Sequence, residues 1–308
     1  MEHTVSRKSI KFYVDTIVGF LIFLSISVFF AFTFIAKTND DHDTKSYMIY
    51  LLPLFSLVSF IFSILTFYFY VKYVPSIIIS NNAIKVQNKA YALSDIKFVI
   101  YTGKQPFLYS YKEGAEIVLN DGSTIYIYDE LYANAPALKT FLDSVLNDRI
   151  IINVPISRYD ISTENIRYYT QGIFSNKKLF VISTLSIAIT ILIIIEANIS
   201  WYIMLLPIFT FLIICPLVSS EMYYFGINEK YLVVRNHVLF WRKHIYPISS
   251  VREVVYEPRY KWRRGLRIIT KNYHTNFRIA ETLNSVDWQE LQKDFKNQNI
   301  KVRYELKF

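Results

Sequence analysis

The densest cluster of charge in the chain is the stretch "RYKWRRGLR", in which cationic side chains are interleaved with aromatic rings. Lys and Arg near a membrane surface attract anionic headgroups, and aromatic rings favour the boundary between lipid and water. The same mixture also suits the phosphates and bases of nucleic acid. The residues that we predict to bind lipid or a partner are Arg259, Tyr260, Lys261, Trp262, Arg263, Arg264 and Arg267.

Three interpretations of this basic cluster are open. The first is a solvated hairpin whose charges only reflect the positive-inside bias of membrane proteins. The second is contact with anionic lipid of the inner leaflet, at about 1 kcal/mol for each Lys or Arg near the surface. The third is nucleic acid, which is disfavoured because the stretch is short and belongs to no nucleic-acid motif. We predict membrane lipids, or a membrane or cytoplasmic protein, as the partner, and no nucleic acid.

The other reactive side chains show no catalytic pattern. Cys215, the one cysteine, lies inside an apolar run, which argues against a disulfide or a thiolate site. His237, His244 and His274 lack the spacings of zinc ligands, and the chain has no P-loop, GxSxG or GxGxxG motif. We predict no enzyme activity, no catalytic or metal-binding residue and no cofactor. The alternative is a membrane enzyme or a small-solute transporter whose site is assembled from dispersed residues.

The elements that must position the basic cluster begin with four long apolar runs, residues 17–36, 48–70, 179–195 and 201–218. About 20 apolar residues in a helix cross the roughly 30 Å hydrocarbon layer. We therefore predict four transmembrane helices in two hairpins. The acidic residues Asp15 and Glu196 lie at the ends of runs, whereas a transporter or proton relay would keep ionisable groups at mid-bilayer.

The Lys and Arg residues near the ends of these runs predict the orientation. Arg7, Lys8 and Lys11 precede the first run, Lys72 ends the second, and a lysine pair at 177–178 opens the third. The loop "KTNDDHDTKS" between the first two runs is rich in Asp. Under the positive-inside rule, the N-terminus and both long polar segments lie in the cytoplasm. The predicted location is the bacterial inner membrane.

An internal repeat links the apolar and polar segments. "YMIYLLPLF" recurs as "WYIMLLPIF", "YALSDIKFVIY" as "YPISSVREVVY", and "GAEIVLNDGSTIYIYDE" as "GLRIITKNYHTNFRIAE", in the same order. The chain is therefore two copies of one unit, a two-helix hairpin followed by a polar domain. The polar domains alternate apolar and polar residues as strands do, and each ends in an amphipathic helix pattern, "APALKTFLDSVLN" or "VDWQELQKDF".

Short strands closed by one helix, directly behind a transmembrane hairpin, resemble the bacterial pleckstrin-homology-like (PH-like) membrane family. The resemblance is carried by residues 77–147 and 225–297 and by strands of the "YPISSVREVVY" type. It implies a curved, barrel-like antiparallel sheet capped by the helix, with Trp288 plugging the second sheet and Ala135 or Pro136 near that place in the first. Some members are implicated in self-protection against membrane-active bacteriocins, so the resemblance also implies bacteriocin immunity as a hypothesis.

The two copies differ in charge. Residues 221–308 carry 17 Lys and Arg against 9 Asp and Glu, and so hold nearly all of the net charge of +9. Residues 75–177 are balanced, and the counterpart of the basic cluster there is "QPFLYSYKEG". The second copy is therefore the one predicted to meet an anionic surface.

The predicted fold class is membrane α-helical plus β-rich. Four transmembrane helices form two hairpins, and a PH-like curved antiparallel sheet closed by a C-terminal helix follows each. The predicted function is non-enzymatic binding of the inner leaflet or of a partner protein. The predicted domains are an N-terminus and hairpin at 1–74, a PH-like domain at 75–148, a linker at 149–177, a second hairpin at 178–220 and a second PH-like domain at 221–308.

Overall fold

The computed structural model describes residues 3–39, 48–108, 110–147, 165–170, 219, 221–239, 241–259 and 263–305. The chain divides into two compact units, Met1–Ile151 and Ile152–Phe308. The finer domain boundaries given above stay predictions.

The first unit begins with two long helices held between two paired strands. Strand β1 (His3–Val5) precedes helices α1 (Ile10–Asn39) and α2 (Met48–Tyr73), and strand β2 (Ile77–Ser80) follows them. β1 and β2 pair antiparallel. The helical hairpin is therefore an insertion between neighbouring strands of one sheet.

The two helices expose apolar surface along most of their length. Ile10–Ala36 and Leu51–Tyr73 have mean hydropathies of 2.5 and 2.1, and very little of either segment is buried. Such a surface is strongly unfavourable in water, whereas the core helix of a soluble protein would be covered. Both helices are long and apolar enough to cross a membrane.

Serine side chains join the two helices. Ser63 of α2 donates to the carbonyl of Phe20 at 3.0 Å, and Ser56 donates to the carbonyl of Ser27 at 3.0 Å. Small hydroxyl residues of this kind allow close approach and interhelical hydrogen bonds between helices surrounded by lipid. The hairpin is therefore held by specific contacts as well as by its connecting loop.

The polar part of the first unit holds two sheets and a helix. Strands β3 (Ala83–Val86) and β4 (Lys89–Ala92) complete the first sheet, in the order β1-β2-β3-β4. In the second sheet, three strands pair antiparallel with β7. The elements after β4 are β5 (Ile96–Ile100), β6 (Lys104–Phe107), β7 (Ser110–Leu119), β8 (Thr124–Tyr128) and α3 (Ala135–Asn147).

The second unit repeats this order of elements. Its first sheet has the order β12-β11-β10-β9, and its second has the order β15-β14-β13-β16. A 3-10 turn separates the two sheets in each unit, at Leu93–Asp95 and at Ile248–Ser250. The elements are β9 (Arg167–Tyr169), β10 (Tyr223–Ile227), β11 (Tyr231–Asn236), β12 (Lys243–Pro247), β13 (Val251–Arg259), β14 (Arg263–Thr270), β15 (Thr275–Ile279), α4 (Ser285–Asn297) and β16 (Lys301–Tyr304).

The predicted fold class is wrong. The described residues hold two candidate membrane spans rather than four, and the predicted third and fourth spans, 179–195 and 201–218, lie outside the described residues. The described strands form four separate four-stranded sheets rather than one curved sheet in each domain. The physical reason is the 3-10 turn after β4 and after β12, because it ends one ladder and starts another.

The second unit is also not closed by its helix. α4 ends in a full Schellman motif, in which the amide of Asn299 bonds the Lys296 carbonyl and the amide of Ile300 bonds the Phe295 carbonyl, both at 3.0 Å. Asn299 has a φ of 56°, a conformation that Asn tolerates better than most residues. The chain can therefore turn back, and β16 pairs parallel with β13.

The aromatic residue expected in the second core is present. Trp288 is buried, with its ring 5.4 Å from that of Tyr256 and 5.9 Å from that of Phe225. In α3 the fourth position, which Trp288 occupies in α4, holds Leu138, and this leucine is fully buried. In the first core, Leu138 therefore occupies the position that corresponds to Trp288, and neither Ala135 nor Pro136 does.

Candidate membrane-interface site

The predicted basic cluster lies at the tip of the β13–β14 hairpin. Arg259 ends β13 and pairs with Arg263, which starts β14. Tyr260, Lys261 and Trp262 lie outside the described residues. The described ends of the two strands therefore bring two of the predicted arginines opposite each other at the tip.

The remaining arginines of the cluster lie in different environments. Arg264 is exposed. Arg267 is buried, and it binds the Glu257 carboxylate through Nε at 2.8 Å and Nη2 at 2.5 Å. Its guanidinium also lies 5.2 Å from the ring centroid of Phe277. Arg267 is thus part of an internal ion pair rather than of an exposed cationic surface.

The corresponding hairpin of the first unit, β6–β7, meets α1, a candidate membrane span. Lys112 of β7 lies 3.7 Å from the carboxylate of Asp15. Burial lowers the pKa of Lys112, and the nearby charge and hydrogen bond of Asp15 oppose this shift. One helical turn earlier, Lys11 forms an ion pair with Glu130. Two ion pairs four residues apart on α1 therefore fasten its start to the polar domain.

Aromatic packing fastens the same hairpin to α2. The ring of Phe107, at the end of β6, lies 5.2 Å from that of Tyr70 and 6.2 Å from that of Tyr73. On its other side it lies 5.1 Å from the ring of Tyr128. Burial raises the pKa of Tyr128, so its hydroxyl stays protonated and donates to the Pro106 carbonyl at 2.6 Å. The β6–β7 tip is thereby held at the end of the helical hairpin.

The segment between β1 and α1 strengthens this junction. The Ser6 amide donates to the Ile77 carbonyl at 2.7 Å, and the Arg7 amide donates to Oδ1 of Asn134 at 2.8 Å. The Ser9 hydroxyl donates to the carbonyl of Glu130 at 2.6 Å. The first bond joins this segment to β2, and the other two join it to the loop that precedes α3. The polar domain and the helical hairpin are therefore tied by backbone as well as by side chains.

A glycine at the same place in both copies has a steric cause. A Cβ on Gly114 would lie 2.6 Å from the Ile127 carbonyl oxygen, and one on Gly265 would lie 2.4 Å from the Phe277 ring. No side chain fits there without movement of its neighbours. The repeat "GAEIV" and "GLRII" thus marks a position where atoms of the neighbouring strand, β8 or β15, leave no room for a Cβ.

The second unit holds a second cluster of charges, where β9 meets α4. Arg167 binds Glu290 at 2.6 Å and lies 3.8 Å from Asp294, which also accepts from the Tyr169 hydroxyl. β9 lies within the segment predicted as a linker. The strand before the second apolar segment is thus anchored to its own domain, as β1 is in the first unit.

The described residues contain no group of three or more His, Cys, Asp or Glu side chains that could hold a metal ion. Burial lowers the pKa of both His237 and His274, which therefore stay neutral near pH 7. The hydroxyl of Thr170 lies 3.1 Å from Nε2 of His237. Within the described residues, neither histidine belongs to a group that could hold a metal ion.

Sequence reasoning missed the pairing of Asp15 with Lys112. The available signal was a carboxylate at the edge of an apolar run, where an unpaired charge is costly. Its partner could not be read from the sequence, because the pairing depends on how β7 folds back to the helix.

No protein-family model matches the chain, and no curated protein matches it. In the part of the chain that the structure describes, two apolar helices long enough to cross a membrane are joined to a β-rich domain by ion pairs and ring contacts. The resemblance to the PH-like family, bacteriocin immunity and the enzyme or transporter alternative stay predictions.

Proposed function

We propose that the protein is a membrane-anchored, non-enzymatic binding protein whose second unit contacts anionic headgroups of the inner leaflet. In this proposal α1 and α2 cross the membrane, and the N-terminus and both polar domains face the cytoplasm. The hairpin tip defined by Arg259 and Arg263, together with Arg264, makes the contact.

One observation carries the proposal. In the first unit the β6–β7 tip packs against the ends of α1 and α2, through Lys112 with Asp15 and Phe107 with Tyr70. The β13–β14 hairpin follows its own apolar segment in the same order of elements. If the repeat holds, its tip meets the membrane surface where that segment enters.

The difference in charge between the two tips indicates that the ligand of the second tip is an anionic lipid headgroup. The first tip has an aromatic, nearly uncharged sequence, whereas the second has cations around Tyr260 and Trp262. Cations close to an anionic leaflet are attracted at about 1 kcal/mol each, and this attraction falls off within the screening length of about 8 Å at physiological ionic strength. A tip already held at the surface by its own chain therefore benefits fully from its charge.

The test is lipid titration of the full-length protein in detergent, followed by native mass spectrometry. Changing Arg263 and Arg264 to Ser should weaken phosphatidylglycerol binding by about 30-fold, which corresponds to about 2 kcal/mol. Phosphatidylcholine binding should change little. Higher salt should weaken the binding of the unchanged protein to phosphatidylglycerol.

The matched control removes the same number of charges elsewhere in the second unit. Lys230 and Lys271 are exposed in turns, and their side chains lie away from the tip. Changing both to Ser should leave phosphatidylglycerol binding within error of the unchanged protein. Equal losses for the two double variants would mean that net charge, rather than the tip, attracts the lipid. Intact binding after the arginine changes would favour a solvated or protein-facing tip.

A further inference from the structure

The β6–β7 tip of the first unit carries an aromatic side chain whose position is set by its neighbours. Tyr111 of β7 is 71% exposed, while the next residue, Lys112, is held against Asp15 at 3.7 Å. Consecutive Cα atoms lie about 3.8 Å apart. The level of Tyr111 relative to α1 is therefore fixed by this ion pair.

That level lies inside the candidate membrane span of α1, two residues before the long apolar run 17–36 begins. Asp15 is the sixth residue of Ile10–Ala36, and a helix rises about 1.5 Å per residue, so the ion pair lies about 8 Å beyond the start of the segment. α2 gives the same level, because Phe107 packs on Tyr70, which lies within the last turn of Leu51–Tyr73. Both helices thus place the tip within the first two turns of one candidate span and the last turn of the other.

Other exposed tyrosines lie at this level. Tyr13 of α1 and Tyr68 of α2 are each 53% exposed. The Lys72 ammonium lies 5.8 Å from the ring centroid of Tyr68, which is one turn further from the end of α2. Tyr rings gather at the membrane boundary, because the ring is apolar and its hydroxyl is wet.

We propose that Tyr111 inserts into the interfacial layer of the bilayer and, with Tyr13 and Tyr68, forms an aromatic belt to which the polar domain itself contributes. The partner is the lipid surface, at the boundary between headgroups and acyl chains. This surface differs from the basic tip of the second unit and needs no anionic lipid. The inference rests on α1 and α2 crossing the membrane, but not on headgroup binding by the arginines.

The experiment uses spin labels on the full-length protein in lipid nanodiscs. Cys215 is the only cysteine, so Cys215→Ser gives a background free of thiols. Labels are placed at Tyr111→Cys, at Phe29→Cys as the lipid reference and at Asn88→Cys as the water reference. Phe29 is 64% exposed on α1, and Asn88 is exposed in the β3–β4 turn, so each change spares the core.

Collision rates with oxygen, which concentrates in lipid, and with a water-soluble nickel complex give the depth of each label. Label 111 should show a clear loss of nickel accessibility relative to label 88 and a gain in oxygen accessibility, with a depth between those of labels 88 and 29. A nickel rate equal to that of label 88 would place the tip in water and overturn the proposal. Low rates for both reagents would also overturn it, because they would mean contact with protein.

A second comparison separates this inference from the proposed function. The depth of label 111 should not change in nanodiscs without anionic lipid, or when Arg263 and Arg264 are changed to Ser. A depth that depends on either would contradict an uncharged, aromatic anchor. Failure of headgroup binding in the mass-spectrometric titration, with label 111 still in the interface, would reject the proposed function alone.

Discussion

Arg267 gives the clearest distinction between a structural arginine and a lipid-binding one. It is 5% exposed, and its partner Glu257 is 2% exposed. Changing Arg267 to Ala removes both contacts to the carboxylate, at 2.8 and 2.5 Å, and the guanidinium over Phe277. Loss of one member of a buried ion pair costs about 3–5 kcal/mol, because the other charge stays buried.

The expected magnitude is measurable as a shift of the thermal midpoint. For a domain of this size, each kcal/mol lowers the midpoint by about 2–4 °C, so Arg267→Ala should lower it by about 10 °C. The assay is thermal unfolding of the full-length protein in detergent, followed by circular dichroism in the β-sheet band. Arg264→Ala, at an exposed position two strand residues from the tip, is the matched control and should change stability by about 0.5 kcal/mol or less.

Replacing both Glu257 and Arg267 tests why the protein loses stability when Arg267 alone is changed. The double variant with Glu257→Leu and Arg267→Met should regain most of the midpoint, because apolar side chains can substitute for a buried ion pair. If Arg267→Ala were as stable as Arg264→Ala but lost phosphatidylglycerol binding, Arg267 would belong to the headgroup site after all. That result would refute the assignment of the arginine to the core of the second unit.

Two further predictions concern topology and pH. Reporter fusions after Asn147 and at Phe308 should both report the cytoplasm, and a fusion within residues 40–43 should report the outside; a periplasmic signal from either domain would overturn the proposed orientation. Because burial lowers the folded-state pKa of His237 and His274 below 6.5, the unfolded chain binds protons more readily, and stability should fall as the pH drops from 7 through and below 6.5. Changing both to Gln should flatten this part of the thermal-midpoint profile, and an unchanged profile would mean that other groups cause the acid sensitivity.

The turns show how far the sequence predicts the fold. "NDGS" predicts a hairpin, and the structure places Gly122 there with a φ of 81°. Its counterpart "KNYH" lacks a glycine, yet β14 and β15 still pair across it, with Tyr273 at a φ of 60°. Tyr273 is held there by tertiary contacts, since its hydroxyl accepts from Arg252 at 2.7 Å and its ring is buried. A local pattern cannot reveal a strained turn that distant residues stabilise.

Part of the candidate site could be predicted from the sequence, and part of it could not. One interpretation of the sequence put the basic cluster on a hairpin, and the described ends of β13 and β14 do pair as a hairpin. The sequence grouped Arg267 with its neighbours, because adjacent cations look alike in one dimension. Only the pairing of β13 with β14 shows that Arg267 faces Glu257. The parallel strand β16 was missed because the signal for it is Asn299, a single residue that allows the chain to reverse.

The pairing of β1 with β2 also constrains how the protein is made. Paired strands lie about 4.8 Å apart, whereas the hydrocarbon layer is roughly 30 Å thick, so the two strands must reach the same side. α1 and α2 therefore cross together or not at all. At about 5–20 residues per second, the ribosome delivers β2 roughly 4 to 15 s after β1, and β1 must wait unpaired until the helical hairpin is complete. Where α1 and α2 cross the membrane as proposed, a nascent chain with one helix inserted and the other left behind cannot form this sheet.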